Sequence, residues 1–213
     1  IKFQYLSQAE IKAYQEKKMA ETLEYINSRS PFYKELFVKE RIDISTIKHI
    51  EDLQQIPVTT NQDLKLRNMD FLCVPATAVR DYVTTSGTLG DPVTFADTEN
   101  DLRRLALSEA LSYEFAGCKS SDIIQLMATI DRCFMAGQAC LLGSLKFGSG
   151  IIRVGNGIPE LQWNTIRRIN PTVCVCVPSF LLKLNEFAKA PNTDSRNSSL
   201  KRPHRLGGTV RPK

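Results

Sequence analysis

The chain of 213 residues holds two histidines, His49 and His204, and one tryptophan, Trp163. So few imidazoles argue against a histidine-rich metal site and leave a Ser-His-Asp hydrolase little to work with. No apolar run approaches the ~18 residues that a membrane helix requires. The opening Ile1-Lys2-Phe3-Gln4-Tyr5 carries no signal-like apolar core. No Cys-x-x-Cys pair occurs among Cys73, Cys118, Cys133, Cys140, Cys174 and Cys176. They read as reduced, mostly core thiols of a cytoplasmic protein without a disulfide framework. Neither a Gly-Lys-Ser/Thr phosphate loop nor a dinucleotide-binding glycine fingerprint is present.

What is there is an ordinary globular composition, 42% hydrophobic and 24% charged. A chain of this length buries a core without staples. The net charge of +5 invites a nucleic-acid or membrane reading. Its distribution argues against both. Residues 191–213 set Arg196, Lys201, Arg202, Arg205, Arg211 and Lys213 against Asp194 alone, so the whole excess lies there and residues 1–190 are neutral.

Along the chain, Ile11, Tyr14, Met19, Leu23 and Ile26 keep helical spacing, which predicts a helix over residues 8–27. Ser30-Pro31 is a cap and first-turn pair for a second, short helix. Further short helices are expected near residues 50–53 and 61–66. The run Tyr82-Val83-Thr84-Thr85 reads as a strand and Val93-Thr94-Phe95 as another. Thr98 and Asp101 then cap a helix reaching about residue 116. Beyond it, strands near 123–127, 151–154 and 172–177 alternate with helices near 134–146, 159–169 and 179–189. This alternation is the mark of βαβ units. The expected fold is α/β: an N-terminal helical segment over residues 1–79, then a mostly parallel βαβ sheet over 80–190. Residues 191–213 read as an irregular basic tail.

The informative segment is Thr84-Thr85-Ser86-Gly87-Thr88-Leu89-Gly90-Asp91-Pro92, where hydroxyls and glycines alternate between two strands. Composition admits two readings. One is a hairpin turn whose Thr and Gly satisfy turn geometry. The other is a nest of backbone N–H groups and hydroxyls suited to phosphate oxygens.

The segment resembles the Ser-Gly-Thr-Thr-Gly-x-Pro phosphate loop of adenylate-forming enzymes, most closely that of the phenylacetate–coenzyme A ligase group. Ser30-Pro31-Phe32-Tyr33 and the stretch Asp52-Leu53-Gln54-Gln55-Ile56-Pro57 resemble that group's N-terminal region. Phe134-Met135-Ala136-Gly137 resembles its small-residue helix start, and Val177-Pro178-Ser179 its strand end. The resemblance runs from about residue 15 to residue 190. Two positions depart from it. Leu89 replaces a hydroxyl donor, and Asp91 stands where the group often has Lys, which is unfavourable beside polyphosphate.

The resemblance implies the first part of an adenylate-forming large domain. It implies ATP, Mg²⁺ and coenzyme A as cofactors and a small-molecule carboxylic acid as substrate, with no nucleic acid and no membrane. Thr85, Ser86, Gly87, Thr88 and Gly90 would cradle the phosphates. Ala128, Phe134, Ala136 and Gly137 would border the acyl pocket. No catalytic residue and no metal ligand is assigned. Asp131-Arg132 suits either a substrate carboxylate or a structural ion pair, whereas Cys174 and Cys176 read as core.

The family's aromatic-Gly-x-Thr-Glu motif is missing, since Thr98-Glu99 follows Ala96-Asp97 and does not supply it. The expectation is therefore an N-terminal fragment of an acid–coenzyme A ligase, inactive alone. The alternative is a non-catalytic remnant or ATP-binding module. A parallel sheet cut part-way leaves an open edge, so self-association as a homo-oligomer is expected. Near residue 202 the sequence leaves the family pattern, as a frame change would. Pro203, Gly207 and Gly208 are expected to prevent a strand there.

Overall fold

A computed structural model describes residues 5–85, 92–189 and 202–205. The chain divides into two compact units, one of residues 1–80 and 85–96, the other of 81–84 and 97–213.

In the first unit, α1 (Gln8–Arg29) starts at a capping box in which Ser7 and Glu10 satisfy each other's backbone N–H groups at 3.3 and 2.8 Å. Ser30 then ends α1 and caps α2 (Pro31–Lys39). That serine is fully buried, and its hydroxyl donates to the Asp70 carbonyl at 2.9 Å, tying the helix start to a segment 40 residues away. Leu23, Phe37 and Ile47 form the unit's buried cluster, with Met19, Ile26 and Tyr33 against it. Phe32 stacks on Phe71 at 4.0 Å. Above Phe32 lies the Arg67 guanidinium, 5.3 Å from the ring centre and paired with Glu35 and Asp70. A short helix α3 (Asn61–Leu66) carries a second capping box, Thr60 with Asp63.

The strands β1 (Val79–Thr84) and β2 (Thr94–Thr98) form a two-stranded sheet. The second unit is built on a parallel sheet of order β4-β3-β5-β6, with β3 Ile123–Leu126, β4 Gly150–Arg153, β5 Val173–Cys176 and β6 Arg202–Arg205. Its helices are α4 (Glu99–Phe115), α5 (Met135–Phe147), α6 (Pro159–Ile169) and α7 (Pro178–Ala188). Strand side chains alternate between faces. Val173 and Val175 join Ile124, Leu126, Tyr113 and Cys140 in one cluster, under α4 and α5. Cys174 and Cys176 join Trp163, Ile166, Phe180 and Leu184 in the other, under α6 and α7. Helices on both faces are why β5 is apolar at every position.

The α/β reading with a parallel sheet holds, and the helix and strand positions fall within a few residues of expectation. One local reading is corrected. Residues 202–205 pair in parallel with β5, Pro203 opposite Cys174 and His204 opposite Val175. Among the described residues β6 is the last strand of the sheet, and a proline costs least where ladder partners lie on one side only. No helix among the described residues is long and apolar enough to cross a membrane.

Candidate anion and nucleotide sites

The base of the Thr/Gly segment is closed by its own backbone. The Thr85 N–H donates to the Val93 carbonyl at 3.0 Å, and the Val93 N–H donates back to the Thr85 hydroxyl oxygen at 3.0 Å. Asn68 braces the same strand. Its amide donates to the Thr94 carbonyl at 2.8 Å and its oxygen accepts from the Thr94 N–H at 3.0 Å. With its oxygen already accepting, Thr85 retains a hydroxyl proton to donate, which fits an oxyanion. Ser86, Gly87, Thr88 and Gly90 lie outside the described residues.

In the second unit, a cleft of about 290 Å³ opens at the C-terminal ends of β3 and β4, lined by residues 129–132 and 153–156. Ligands of open α/β sheets bind at this end of the strands. Arg132 and Arg153 both line it, and neither makes an ion pair among the described residues. Asp131 is hydrogen-bonded to the Thr129 hydroxyl. That bond first, then a backbone hydrogen bond and last the neighbouring Arg132 charge, hold its carboxyl below the ordinary range against the opposing effect of burial.

Both rims are fixed from behind. Arg132 and Cys133 have left-handed backbones, φ 58° and 55°. The Thr84 N–H anchors this bend by donating to the Cys133 carbonyl at 3.0 Å. On the other rim, Gly155 takes φ 81°, a conformation that favours glycine, and its carbonyl accepts from the Gln162 side-chain amide at 2.7 Å.

The four residues assigned to an acyl pocket lie beside this cleft and do not line it. Ala128 is buried at the end of β3, Phe134 is the half-exposed cap of α5, and Ala136 is half-buried. Gly137 is buried for a packing reason: a Cβ there would lie 1.7 Å from the Thr129 carbonyl oxygen. Arg132 stands out in the sequence as a charge beside Asp131, whereas Arg153 does not. Its signal was a charged residue closing an otherwise apolar strand. Among the described residues no group of three or more His, Cys, Asp or Glu could hold a metal ion. Cys174 and Cys176 are buried. The hydrogen bond between them, then burial, pushes the Cys174 thiol up.

No family model matches the chain. The phenylacetate–coenzyme A ligase of Thermus thermophilus is 30% identical over 186 residues, covering 86% of this chain and 42% of that protein. Its Escherichia coli counterpart is 28% identical over 194 residues, covering 90% of the chain and 44% of that protein. The chain thus spans less than half the length of these curated relatives. In fold it matches 2-hydroxyisobutyryl-CoA ligase, solved with 2-HIB-AMP and CoA, at a TM-score of 0.81 and 23% identity, covering 93% of this chain and 43% of that one. The fold is that of an adenylate-forming ligase. Within that class, the chain has the sequence and fold of the N-terminal part of a phenylacetate–coenzyme A ligase-like protein.

Proposed function

We propose that the chain supplies the nucleotide-cradling part of an ATP-dependent acid–coenzyme A ligase. Such an enzyme joins a small carboxylic acid to ATP as an acyl-adenylate, releases pyrophosphate, and passes the acyl group to a thiol. The observation that supports this reading is the relationship to phenylacetate–coenzyme A ligases along 86% to 90% of the chain.

Adenylate formation is catalysed chiefly by positioning and by neutralising charge. In this proposal Thr85 donates its free hydroxyl proton to a phosphate oxygen. Its own oxygen stays locked by the Val93 N–H. Ser86, Gly87, Thr88 and Gly90 continue the cradle. Ala128, Phe134, Ala136 and Gly137 border the acyl group. Mg²⁺ bound with ATP would neutralise phosphate charge, and the described residues offer no carboxylate cluster for it, so no step is assigned to the metal. Coenzyme A enters only as thiol acceptor. Turnover is assigned to the whole ligase and ATP binding to this part.

Calorimetric titration of ATP tests the reading. The chain should bind ATP saturably, and Ser86→Ala with Thr88→Ala should weaken binding at least about tenfold, the loss of one or two charge-assisted hydrogen bonds. No acid-dependent ATP–pyrophosphate exchange is expected from the chain alone. Absence of ATP binding would overturn the cradle, and exchange by the isolated chain would overturn the division of labour.

A further inference from the structure

We infer that the cleft between the β3–α5 loop and the β4–α6 turn is a binding site for a small dianion, with its guanidinium groups, Arg132 and Arg153, as the recognising pair. The inference rests on this cleft alone and not on the ligase reading.

Three observations carry it. The first is charge. Two arginines that form no ion pair among the described residues line one cleft, against a single carboxylate whose charge Arg132 offsets only at a distance. The other charged group there is Asp131, which accepts from Thr129. Other arginines also form no ion pair among the described residues, Arg167 and Arg168 among them, and what sets Arg132 and Arg153 apart is that they share one cleft. Guanidinium forks match carboxylate and phosphate oxygens in pairs, so two of them on one small cavity favour a ligand with two negative charges.

The second is backbone geometry. Consecutive left-handed residues other than glycine cost roughly 1–2 kcal/mol each and persist where their surroundings impose them. Arg132 and Cys133 are such a pair, and the Thr84 bond to Cys133 imposes it. A relaxed bend would release Arg132 from the cleft wall.

The third is support from the core. Gly155, on the opposite wall, is held by Gln162, and Gln162 accepts from Gln125 at 2.8 Å. Both glutamines are about as buried as any residue in the protein, at 1% and 0% exposure. A polar relay through the core to a surface turn fixes the cavity before a ligand arrives, which lowers the cost of binding. The volume, about 290 Å³, suits a molecule of a few heavy atoms.

Carboxylate and phosphate share the chemistry, and the test separates them. Succinate, inorganic phosphate and acetate are titrated by calorimetry at constant ionic strength into the wild-type chain. Succinate or phosphate should bind saturably and acetate at least about tenfold more weakly. Arg132→Gln and Arg153→Gln should each weaken the preferred dianion about tenfold or more, the scale of one charge-assisted bond. Arg168→Gln, an exposed arginine outside the cleft, should change nothing. Thermal melting without ligand should be the same for all three variants, since each side chain is exposed. Succinate stronger than phosphate identifies a dicarboxylate, and the reverse identifies a phosphate. No saturable binding, equal binding of acetate, or equal loss in Arg168→Gln would overturn the site. Failure of ATP binding in the same chain would count against the ligase reading and leave this titration intact.

Discussion

The Gln125 side-chain amide donates to the Gln162 side-chain oxygen at 2.8 Å and to the Gln162 backbone carbonyl at 3.1 Å, wholly inside the layer between β3 and α6. Gln162 passes the constraint outward, donating to Gly155 at 2.7 Å. Gln162→Leu removes one of the two acceptors of the buried Gln125 amide and the donor to the half-buried Gly155 carbonyl. A stranded buried group costs about 1–3 kcal/mol, and with one acceptor kept and Gly155 half-buried a loss of about 1–2 kcal/mol is expected in urea denaturation. Adding Gln125→Leu removes one of the stranded groups. The double variant should therefore lose less than the sum of the two single losses. Additive losses would mean that the two glutamines do not act together.

Gly137 tests how closely α5 approaches the end of β3. With a Cβ 1.7 Å from the Thr129 carbonyl oxygen, Gly137→Ala forces the helix or the loop to move. A cost of about 3 kcal/mol is expected, lowering Tm by roughly 6–12 °C for a chain of this size. Gly150→Ala is the control, because its Cβ would meet Ile123 Cγ1 at an ordinary 3.5 Å. Equal melting of the two variants would show that α5 has room to spare.

The parallel sheet was legible because hydrophobic runs at β3 and β5 alternate with amphipathic helices whose caps are local. Ser30 and Thr98 announce α2 and α4 in the sequence and cap them in the structure. The start of β1 was not legible, since Val79-Arg80-Asp81 has no β-branched run and takes its conformation from pairing. β6 was hidden for the same reason: Pro203 and two arginines carry no strand signal, and β5 supplies the partner. At the cleft, Arg132 was visible as a charge in a loop. Arg153 was not, because what makes it notable is the proximity of the β3 and β4 ends, which no local pattern encodes. The relay from Gln125 to Gln162 spans 37 residues and depends on packing alone.

Asp97 should make the chain less stable as pH rises. Burial, then the negative charges of Asp101 and Asp81, lift its carboxyl above the ordinary carboxylate range. Its Oδ2 atom is buried without a hydrogen-bond partner among the described residues. A raised value in the folded state means that the folded chain holds a proton that the unfolded chain has released. The stabilising contribution is complete below the unfolded value of about 3.9 and is lost as pH climbs through the folded value. Asp97→Asn removes the titration while keeping the shape. Its Tm should exceed that of the wild type at about pH 7, with the gap closing toward about pH 3. A gap that is constant with pH would assign the effect to packing.

Thr85 separates the two jobs of one hydroxyl. Its oxygen accepts from the Val93 N–H at 3.0 Å, and its proton is the donor proposed for ATP. Thr85→Ser keeps both, whereas Thr85→Val keeps the shape and loses both. Val93 is buried, so in the valine variant its N–H is stranded and about 1–3 kcal/mol of stability is lost. ATP affinity should fall at least about tenfold in Thr85→Val and stay within about threefold of wild type in Thr85→Ser. Stability and affinity are then read independently, by denaturation and by calorimetry. Loss of stability with ATP affinity unchanged would make Thr85 a brace of the strand pair and nothing more. Parallel loss of both, restored by serine, would place the hydroxyl proton on the nucleotide, because serine supplies the same donor without the methyl group.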